Sequence, residues 1–155
     1  MVTIVDYEMG NVGSIQNMFK YIGVESKIES DPDKIRKASK ILLPGVGSFD
    51  TAMRKIKEKN LEEVLAEKAL KEQVPILGIC LGMQLLTSES EEGRLKGLGW
   101  IPAKTVSFKN RIDKRLKIPH MGWNIVKKSK ESSLTKGFEE FEEARFYFVH
   151  SYFVK

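Results

Sequence analysis

The sequence of 155 residues contains one cysteine, two histidines and no apolar run long enough to cross a membrane. One cysteine excludes an internal disulfide and indicates a reducing, cytoplasmic compartment. The first residues, Met1–Asp6, lack the architecture of a signal peptide. No metal site, no cofactor and no membrane partner is predicted.

Strong charge of either sign is also absent, since the formal net charge is only +5. A nucleic-acid patch is conceivable where basic residues cluster, but no aromatic stacking set or binding motif accompanies the cluster. A solvated basic hairpin, near an anionic substrate or partner, is the favoured interpretation, and no nucleic-acid partner is predicted. The clustered cations are Lys104, Lys109, Arg111, Lys114, Arg115 and Lys117.

What is present is an alternation of short apolar runs and helical patterns over residues 2–86. This order predicts a doubly wound, mainly parallel α/β sheet of flavodoxin-like type, with helices on both faces. One of its strands, Val74–Ile79, is expected to be buried, and Asn60 with Glu63 is expected to form a capping box. Length and a hydrophobic content of 41% indicate a single domain, residues 1–155.

The alternation of apolar runs and helical patterns ends after Thr87, and an antiparallel C-terminal part is predicted there. Trp100–Phe108 and Leu116–Ile118 are expected to pair as antiparallel strands around a basic turn at Asn110–Lys114. Pro119–Asn124 is expected to be a loop, and Arg145–Lys155 is expected to be one apolar strand running to the last residue.

The single cysteine, Cys80, lies between Gly78 and Gly82, directly after the predicted strand and before a helical pattern. Small flanking residues allow a sharp turn that lifts a nucleophile above the sheet, as in a nucleophile elbow. Amide N–H groups and the dipole of the following helix would favour a thiolate and later an oxyanion. The alternative is a small buried apolar cysteine.

A second glycine pair, Gly45 and Gly47, follows the predicted strand Lys40–Leu43. Without side chains, the backbone N–H groups of this segment can approach a ligand closely, although an ordinary strand–helix turn also uses glycine. Ligands of parallel sheets bind at the carboxyl ends of the strands, where both this loop and Cys80 lie.

Four segments together resemble the class I glutamine amidotransferases. They are Pro44–Phe49, Gly78–Gln84, Ile118–Asn124 and Tyr147–Tyr152. More narrowly, they are similar to the glutaminase subunit of imidazole glycerol phosphate synthase. The opening Asp6–Asn11 is similar to the start of that subfamily, with Glu8 where glycine is expected.

The resemblance implies an amidotransferase fold and a glutaminase in which Cys80 forms a thioester with glutamine. Ammonia would pass to a cyclase or synthase subunit in a heterodimer that makes imidazole glycerol phosphate for histidine biosynthesis. It implies an oxyanion hole of Leu81, Val46 and Gly47, and glutamine contacts from Gly45, Gln84, Glu92, Ser151 and Tyr152. It also implies a synthase-facing surface formed by Asn11, Pro119, His120, Met121, Gly122, Trp123 and Asn124.

One expected part is missing from the sequence. The family's catalytic histidine and its orienting carboxylate stand in a His-Pro-Glu segment beyond the Tyr147–Tyr152 motif, and neither His120 nor His150 matches that histidine. The chain is therefore expected to lack the C-terminal segment that supplies proton transfer, and to be inactive or slow alone.

Two other functions remain open at this stage. One is a related glutaminase that feeds an amidotransferase acting on N-acetyl sugars for surface polysaccharides. The other is a non-catalytic binding domain derived from a glutaminase, although the presence of Cys80, Gln84 and Glu92 argues against decay. For Glu92 alone, the alternative is a solvated acidic loop over Ser88–Gly93.

Overall fold

The computed structural model describes the whole chain, residues 1–155, and this chain divides into two compact units. The first unit contains Met1–Ser107 together with Tyr152–Lys155, and the second contains Phe108–Ser151. No helix is long and apolar enough to span a bilayer.

Four parallel strands form the main sheet of the first unit: β1 (Val2–Val5), β2 (Ser26–Glu29), β3 (Ile41–Leu43) and β4 (Ile76–Gly78). They lie in the order β2-β1-β3-β4. The chain adds β2 on one side of β1 and the later strands on the other, so right-handed crossovers place helices on both faces. The predicted doubly wound α/β architecture is confirmed.

The helices of the first unit are α1 (Val12–Tyr21), α2 (Pro32–Ile35), α3 (Phe49–Glu58), α4 (Leu61–Ala66) and α5 (Leu81–Leu85). A π-helical turn, Glu67–Lys71, continues α4. Fully buried residues such as Val5, Leu43, Phe49, Ile56 and Leu65 form the core, which joins the sheet to α2–α5. Helix α1 contributes no buried residue.

The prediction that Val74–Ile79 is a buried strand is wrong in its burial. Only Ile76–Gly78 is strand, and the side chains of Leu77 and Ile79 are 40% and 46% exposed. The reason is topological, because β4 is the last strand in the sheet order and has a neighbour on one side only.

The predicted capping box at Asn60 is also wrong. Asn60 has left-handed backbone angles, φ 54° and ψ 32°, and its side chain makes no capping hydrogen bond. Its N–H instead donates to the carbonyl of Lys57 at 3.0 Å, so Asn60 ends α3. Asparagine tolerates this conformation, which turns the side chain away from the first amides of α4.

A second sheet completes the first unit. It consists of β5 (Thr87–Ser90), β6 (Ile101–Ser107) and β9 (Tyr152–Val154), in the order β5-β6-β9. Strand β6 is parallel to β5 and antiparallel to β9. The expected pairing of Trp100–Phe108 with Leu116–Ile118 is therefore wrong, because β6 finds both of its partners far away in the sequence.

The second unit contains an antiparallel pair, β7 (His120–Ile125) and β8 (Arg145–His150). The segment Pro119–Asn124, expected to be a loop, is mostly strand. The expected single strand Arg145–Lys155 is broken at Ser151, after which β9 joins the other sheet. An antiparallel C-terminal part is thus confirmed, with different pairings.

Candidate active site

Cys80 occupies a sharp turn between β4 and α5. Its backbone angles, φ 54° and ψ −119°, lie in a region that residues with a side chain rarely adopt, at a cost of about 1–3 kcal/mol. The Cys80 side chain is exposed, and its carbonyl accepts hydrogen bonds from the N–H groups of Met83 (3.1 Å) and Gln84 (3.3 Å). The segment around Cys80 therefore consists of a strand, a cysteine with a strained backbone and a helix, in the predicted order.

The glycines beside Cys80 are required by packing. A β-carbon at Gly78 would come within 2.6 Å of the Cα of Met83, and one at Gly82 would overlap the carbonyl oxygen of Leu43. The Ile79 N–H also donates to Leu43 at 3.1 Å. These contacts join the turn at Cys80 to the end of β3 and account for its unusual backbone.

The loop after β3 lies directly against this turn. A β-carbon on buried Gly45 would stand 2.9 Å from the Gly82 nitrogen and 3.0 Å from the Leu81 β-carbon. Gly47 has φ +98°, which glycine adopts without strain. The two glycine-containing segments singled out in the sequence therefore meet in the structure.

Helix α5 has only five residues, so its N–H groups matter more here than a macrodipole. Leu81 is its first residue, and the first amides of a helix have no acceptor within the helix. This leaves the Leu81 N–H, immediately after the cysteine, able to bind an incoming oxygen atom.

The loop after β1 borders the same place. A β-carbon at Gly10, which has φ +96°, would lie 3.9 Å from both the nitrogen and the Cγ2 of Val46. Asn11 follows and caps α1, its Oδ1 accepting from the Ser14 N–H at 3.0 Å. The Val46 side chain itself is 58% exposed.

Tyr7 is a residue that the sequence analysis did not single out. Its side chain is fully buried, and its hydroxyl donates to the carbonyl of Pro44. The same hydroxyl would be 2.6 Å from a β-carbon at Gly45. Its position in the sequence, two residues after a strand that ends at the candidate site, was the one available signal.

Gln84 lies one helical turn after Cys80 and is only 8% exposed. Its Oε1 is buried and has no hydrogen-bond partner within the protein. A buried amide oxygen without a partner costs about 1–3 kcal/mol, so a ligand that donates to it would recover that energy.

Glu92 has a partner within the protein. Its Oε2 accepts from the N–H of Phe49, the first residue of α3, at 3.0 Å. In return, Asp50 of α3 accepts from the backbone N–H groups of Arg94 and Leu95, with distances of 2.9–3.1 Å. Two carboxylates thus tie the acidic loop to the start of α3, immediately after the Gly45–Gly47 segment.

The other predicted glutamine contacts, Ser151 and Tyr152, are consecutive in the sequence but belong to different units. The carbonyl of Ser151 accepts from the Phe108 N–H at 3.0 Å in the second unit. Tyr152 begins β9 in the first unit and pairs with Ser107.

The predicted synthase-facing residues of the second unit lie on or next to β7. His120 Nδ1 is 2.9 Å from His150 Nε2, and Asn124 Nδ2 is 2.9 Å from His120 Nε2. Because an amide nitrogen can only donate, His120 accepts at Nε2 and donates from Nδ1. On β7, Met121 and Trp123 are 59% and 68% exposed.

Comparison with known proteins covers nearly the whole chain. Three similar proteins are imidazole glycerol phosphate synthase subunits. HisH 2 of Methanococcus maripaludis is 56% identical, HisH of Sulfurimonas denitrificans 49% and HisH 2 of Pseudomonas aeruginosa 42%. Each match includes 98–99% of this chain and 72–74% of the relative.

The fold has a solved counterpart as well. The crystal structure of a glutamine amidotransferase superposes with a TM-score of 0.65 over 96% of this chain and 71% of that one, at 16% identity. The family model "Glutamine amidotransferase class-I" matches residues 3–155, which include the turn at Cys80, the Gly45–Gly47 loop and both units. The chain belongs to the class I glutamine amidotransferase family.

Proposed function

We propose that this chain is the glutaminase subunit of an imidazole glycerol phosphate synthase, with Cys80 as its nucleophile. The observation that carries the proposal is the contact between the turn at Cys80 and the Gly45–Gly47 loop. The three HisH relatives support the choice of synthase over a sugar amidotransferase or a non-catalytic domain.

The proposed reaction is acyl transfer from an amide. The Cys80 sulfur attacks the side-chain carboxamide carbon of glutamine, the C–N bond breaks, and the nitrogen leaves as ammonia after gaining a proton. Water then hydrolyses the thioester, which gives glutamate and restores the thiol. Backbone N–H groups of Leu81 and of the Val46–Gly47 segment stabilise the oxyanion.

Recognition of glutamine is assigned to five other residues. The unpartnered Oε1 of Gln84 accepts from the substrate, and the Glu92 carboxylate pairs with its ammonium group. Gly45 contacts the substrate through its backbone, while Ser151 and Tyr152 hold the amino-acid end of glutamine through backbone groups.

The reaction also needs a base that accepts the cysteine proton and returns one to the leaving nitrogen. His120 is not proposed for this role, because both of its ring nitrogens are engaged, with His150 and Asn124. His150 is one of those partners, and it lies in the segment assigned to glutamine binding rather than to proton transfer.

The cyclase subunit of the synthase is the proposed partner in a heterodimer, and it receives the ammonia. Its docking surface on this chain includes exposed Val46 and the residues predicted from the sequence. Support comes from the large apolar side chains left exposed on β7, because such surface is typical of interaction sites. The predicted members are Asn11, Pro119, His120, Met121, Gly122, Trp123 and Asn124.

A cytoplasmic location and a single amidotransferase domain belong to the same proposal. An exposed thiol nucleophile needs a reducing compartment to remain unoxidised. The single-domain assignment is supported by one family model that includes residues of both compact units.

The test uses the product of the complete gene together with its synthase partner. Cys80→Ala should abolish glutamine-dependent synthesis and glutamate release, while synthesis from added ammonium salts continues. Cys80→Ser serves as the near-isosteric control and should also lose glutamine-dependent activity. A diazo-ketone analogue of glutamine should label wild-type protein at Cys80, as located by peptide mass spectrometry.

Glutaminase activity that survives Cys80→Ala would overturn the assignment of the nucleophile. Glutamine hydrolysis without production of imidazole glycerol phosphate would keep the glutaminase and reject the synthase. Absence of hydrolysis with any partner would favour the non-catalytic alternative.

A further inference from the structure

We propose that Tyr7 is a positioning residue, which holds the Gly45–Gly47 loop in register with the turn at Cys80. The inference deepens the proposed glutaminase function and rests on it. Tyr7 touches neither the substrate nor the cysteine sulfur in this account. It acts through the backbone of Pro44 and Gly45, which lies directly against the nucleophile turn.

The Tyr7 hydroxyl connects two neighbouring strands of the main sheet. Tyr7 belongs to the segment that follows β1, its ring is fully buried in the core, and its hydroxyl reaches across to the carbonyl of Pro44 at the end of β3. A buried hydroxyl–carbonyl hydrogen bond therefore links the carboxyl ends of two neighbouring strands.

The surroundings of Gly45 are crowded. The space that a β-carbon would occupy there is bounded by the Tyr7 hydroxyl at 2.6 Å, the Gly82 nitrogen at 2.9 Å and the Leu81 β-carbon at 3.0 Å. One point of the core thus brings together the tyrosine hydroxyl, the Gly45–Gly47 loop and the first residues of α5. The two proposed sources of oxyanion donors meet where the hydroxyl lies.

The peptide unit between Pro44 and Gly45 transmits the effect of this hydrogen bond to the loop. A trans peptide bond is planar, with its C=O and N–H pointing in opposite directions. A donor that fixes the Pro44 carbonyl therefore also fixes the direction of the Gly45 N–H and the start of the loop. The loop needs such an anchor, because the backbones of Gly45 and Gly47 are otherwise the most freely rotating in the segment.

The protonation of Tyr7 agrees with this role. Burial, and in addition the charge of nearby Cys80, raise the pKa of the Tyr7 hydroxyl well above its usual value. The hydroxyl thus remains protonated over the working pH range and can donate to Pro44. A phenolate could not donate and would repel the carbonyl oxygen.

The test is Tyr7→Phe in the complete gene product with its synthase partner, because phenylalanine keeps the ring and removes the hydroxyl. We expect kcat for glutamine hydrolysis to fall at least about tenfold, since displacement of a positioning group has large effects on rate. KM for glutamine should stay within about twofold, and so should the rate at which iodoacetamide alkylates Cys80.

A second measurement does not depend on activity. Amide hydrogen exchange of residues 45–48 should be about threefold to tenfold faster in Tyr7→Phe, as expected for the loss of one buried hydrogen bond. The matched control is Thr105→Val, which removes another buried hydroxyl, 3.2 Å from that of Thr87. This control should lower the Tm but leave kcat and the amide exchange of residues 45–48 unchanged.

Three results would overturn the inference: an unchanged kcat, an equal loss of kcat in the control, or unchanged amide exchange of residues 45–48. Absence of glutaminase activity in the wild type would instead defeat the proposed function. In that case the exchange measurement still decides whether Tyr7 anchors the loop.

Discussion

Cys80 can keep its strained backbone because Gly78 and Gly82, two positions to either side, carry no side chain. The turn could be predicted because its steric requirement is local: Gly78 and Gly82 stand two positions from the cysteine, and each fills a place where a β-carbon would collide. Tyr7 could not be predicted, because its acceptor, Pro44, is 37 residues away and is brought close only by the pairing of β1 with β3.

Glu8 is another residue whose role could be predicted only in part from the sequence. The family resemblance raised the expectation of glycine there, and the structure gives the reason, since Glu8 has φ 65°. What the sequence did not reveal is the compensation: the Glu8 carboxylate pairs with Lys55 at 2.7 Å and with Lys59 at 2.8 Å.

Glu92 is the subject of a prediction at this scale, because it is proposed to bind substrate while it caps α3. Glu92→Gln should raise KM for glutamine more than it lowers kcat, since the charge that pairs with the substrate ammonium is lost in ground and transition states alike. The side-chain amide oxygen introduced at position 92 can still accept the hydrogen bond from the Phe49 N–H, so the Tm should change little. Steady-state kinetics and thermal unfolding of the complete gene product provide both measurements.

The companion variant is Glu92→Ala. It should show the same increase in KM and, in addition, lose about 1 kcal/mol of stability with the helix cap. A KM that does not change in Glu92→Gln would assign the residue to capping alone.

At the scale of elements, the parallel sheet could be predicted but several pairings could not. The alternation of apolar runs and helices is a local pattern, and it specifies β1–β4 and their connections. The partners of β6 are distant in sequence, and β5, β6 and β9 carry no local signal for their order. The exposure of β4 likewise depends on its place at the edge of the sheet, which the apolar run Val74–Ile79 does not encode.

The ion pairs of Glu8 connect the loop after β1 to α3, and they lead to a prediction about pH. Lys55 and Lys59 lower the pKa of Glu8 from 4.5 to about 2 in the folded protein. A lowered carboxyl pKa stabilises the folded state above about pH 4.5, and this contribution disappears as the pH falls toward 2. Stability of the wild type should therefore decrease more steeply over this range than that of Glu8→Gln.

Urea unfolding at a series of pH values measures this difference. Glu25→Gln, which changes an exposed glutamate on another segment, is the matched control and should retain the slope of the wild type. Parallel curves for the wild type and Glu8→Gln would show that the pairing adds nothing to stability.

At the scale of the whole molecule, the two units differ in their cores. Every residue that is buried in the structure belongs to the first unit, and none lies in Phe108–Ser151. Hydrophobic burial is the main source of stability, so the second unit is expected to open locally at a low free-energy cost. The length and composition of the sequence, which indicated a single domain, did not predict this division into two units.

Limited proteolysis tests this expectation. Trypsin should cut the native protein first in the basic stretch 109–117, before any lysine or arginine of α3, because exposed segments that open readily are cleaved first. The fragments formed early in digestion can be identified by mass spectrometry.

The matched variant replaces every tryptic site of the basic stretch, Lys109, Arg111, Lys114, Arg115 and Lys117, with glutamine. If the low stability of the second unit governs cleavage, the first cuts should move to Lys127, Lys130 or Lys136 in the same unit. First cuts within α3, in either protein, would contradict the expectation.

The second unit, Phe108–Ser151, is inserted between two residues that pair with each other in the second sheet, and this affects which changes the gene can tolerate. Ser107, the last residue of β6, is the direct antiparallel partner of Tyr152, the first residue of β9. Directly opposed residues of this kind have Cα atoms about 4.5–5.5 Å apart. The intervening segment therefore begins and ends at adjacent positions of the sheet. The entropy lost on closing a loop between two paired residues depends only on the logarithm of the loop length. A longer or shorter segment between Ser107 and Tyr152 therefore changes this entropy little. The codons for Phe108–Ser151 therefore form a cassette, in which insertions, deletions and exchanges between homologues leave the register of β6 and β9 intact.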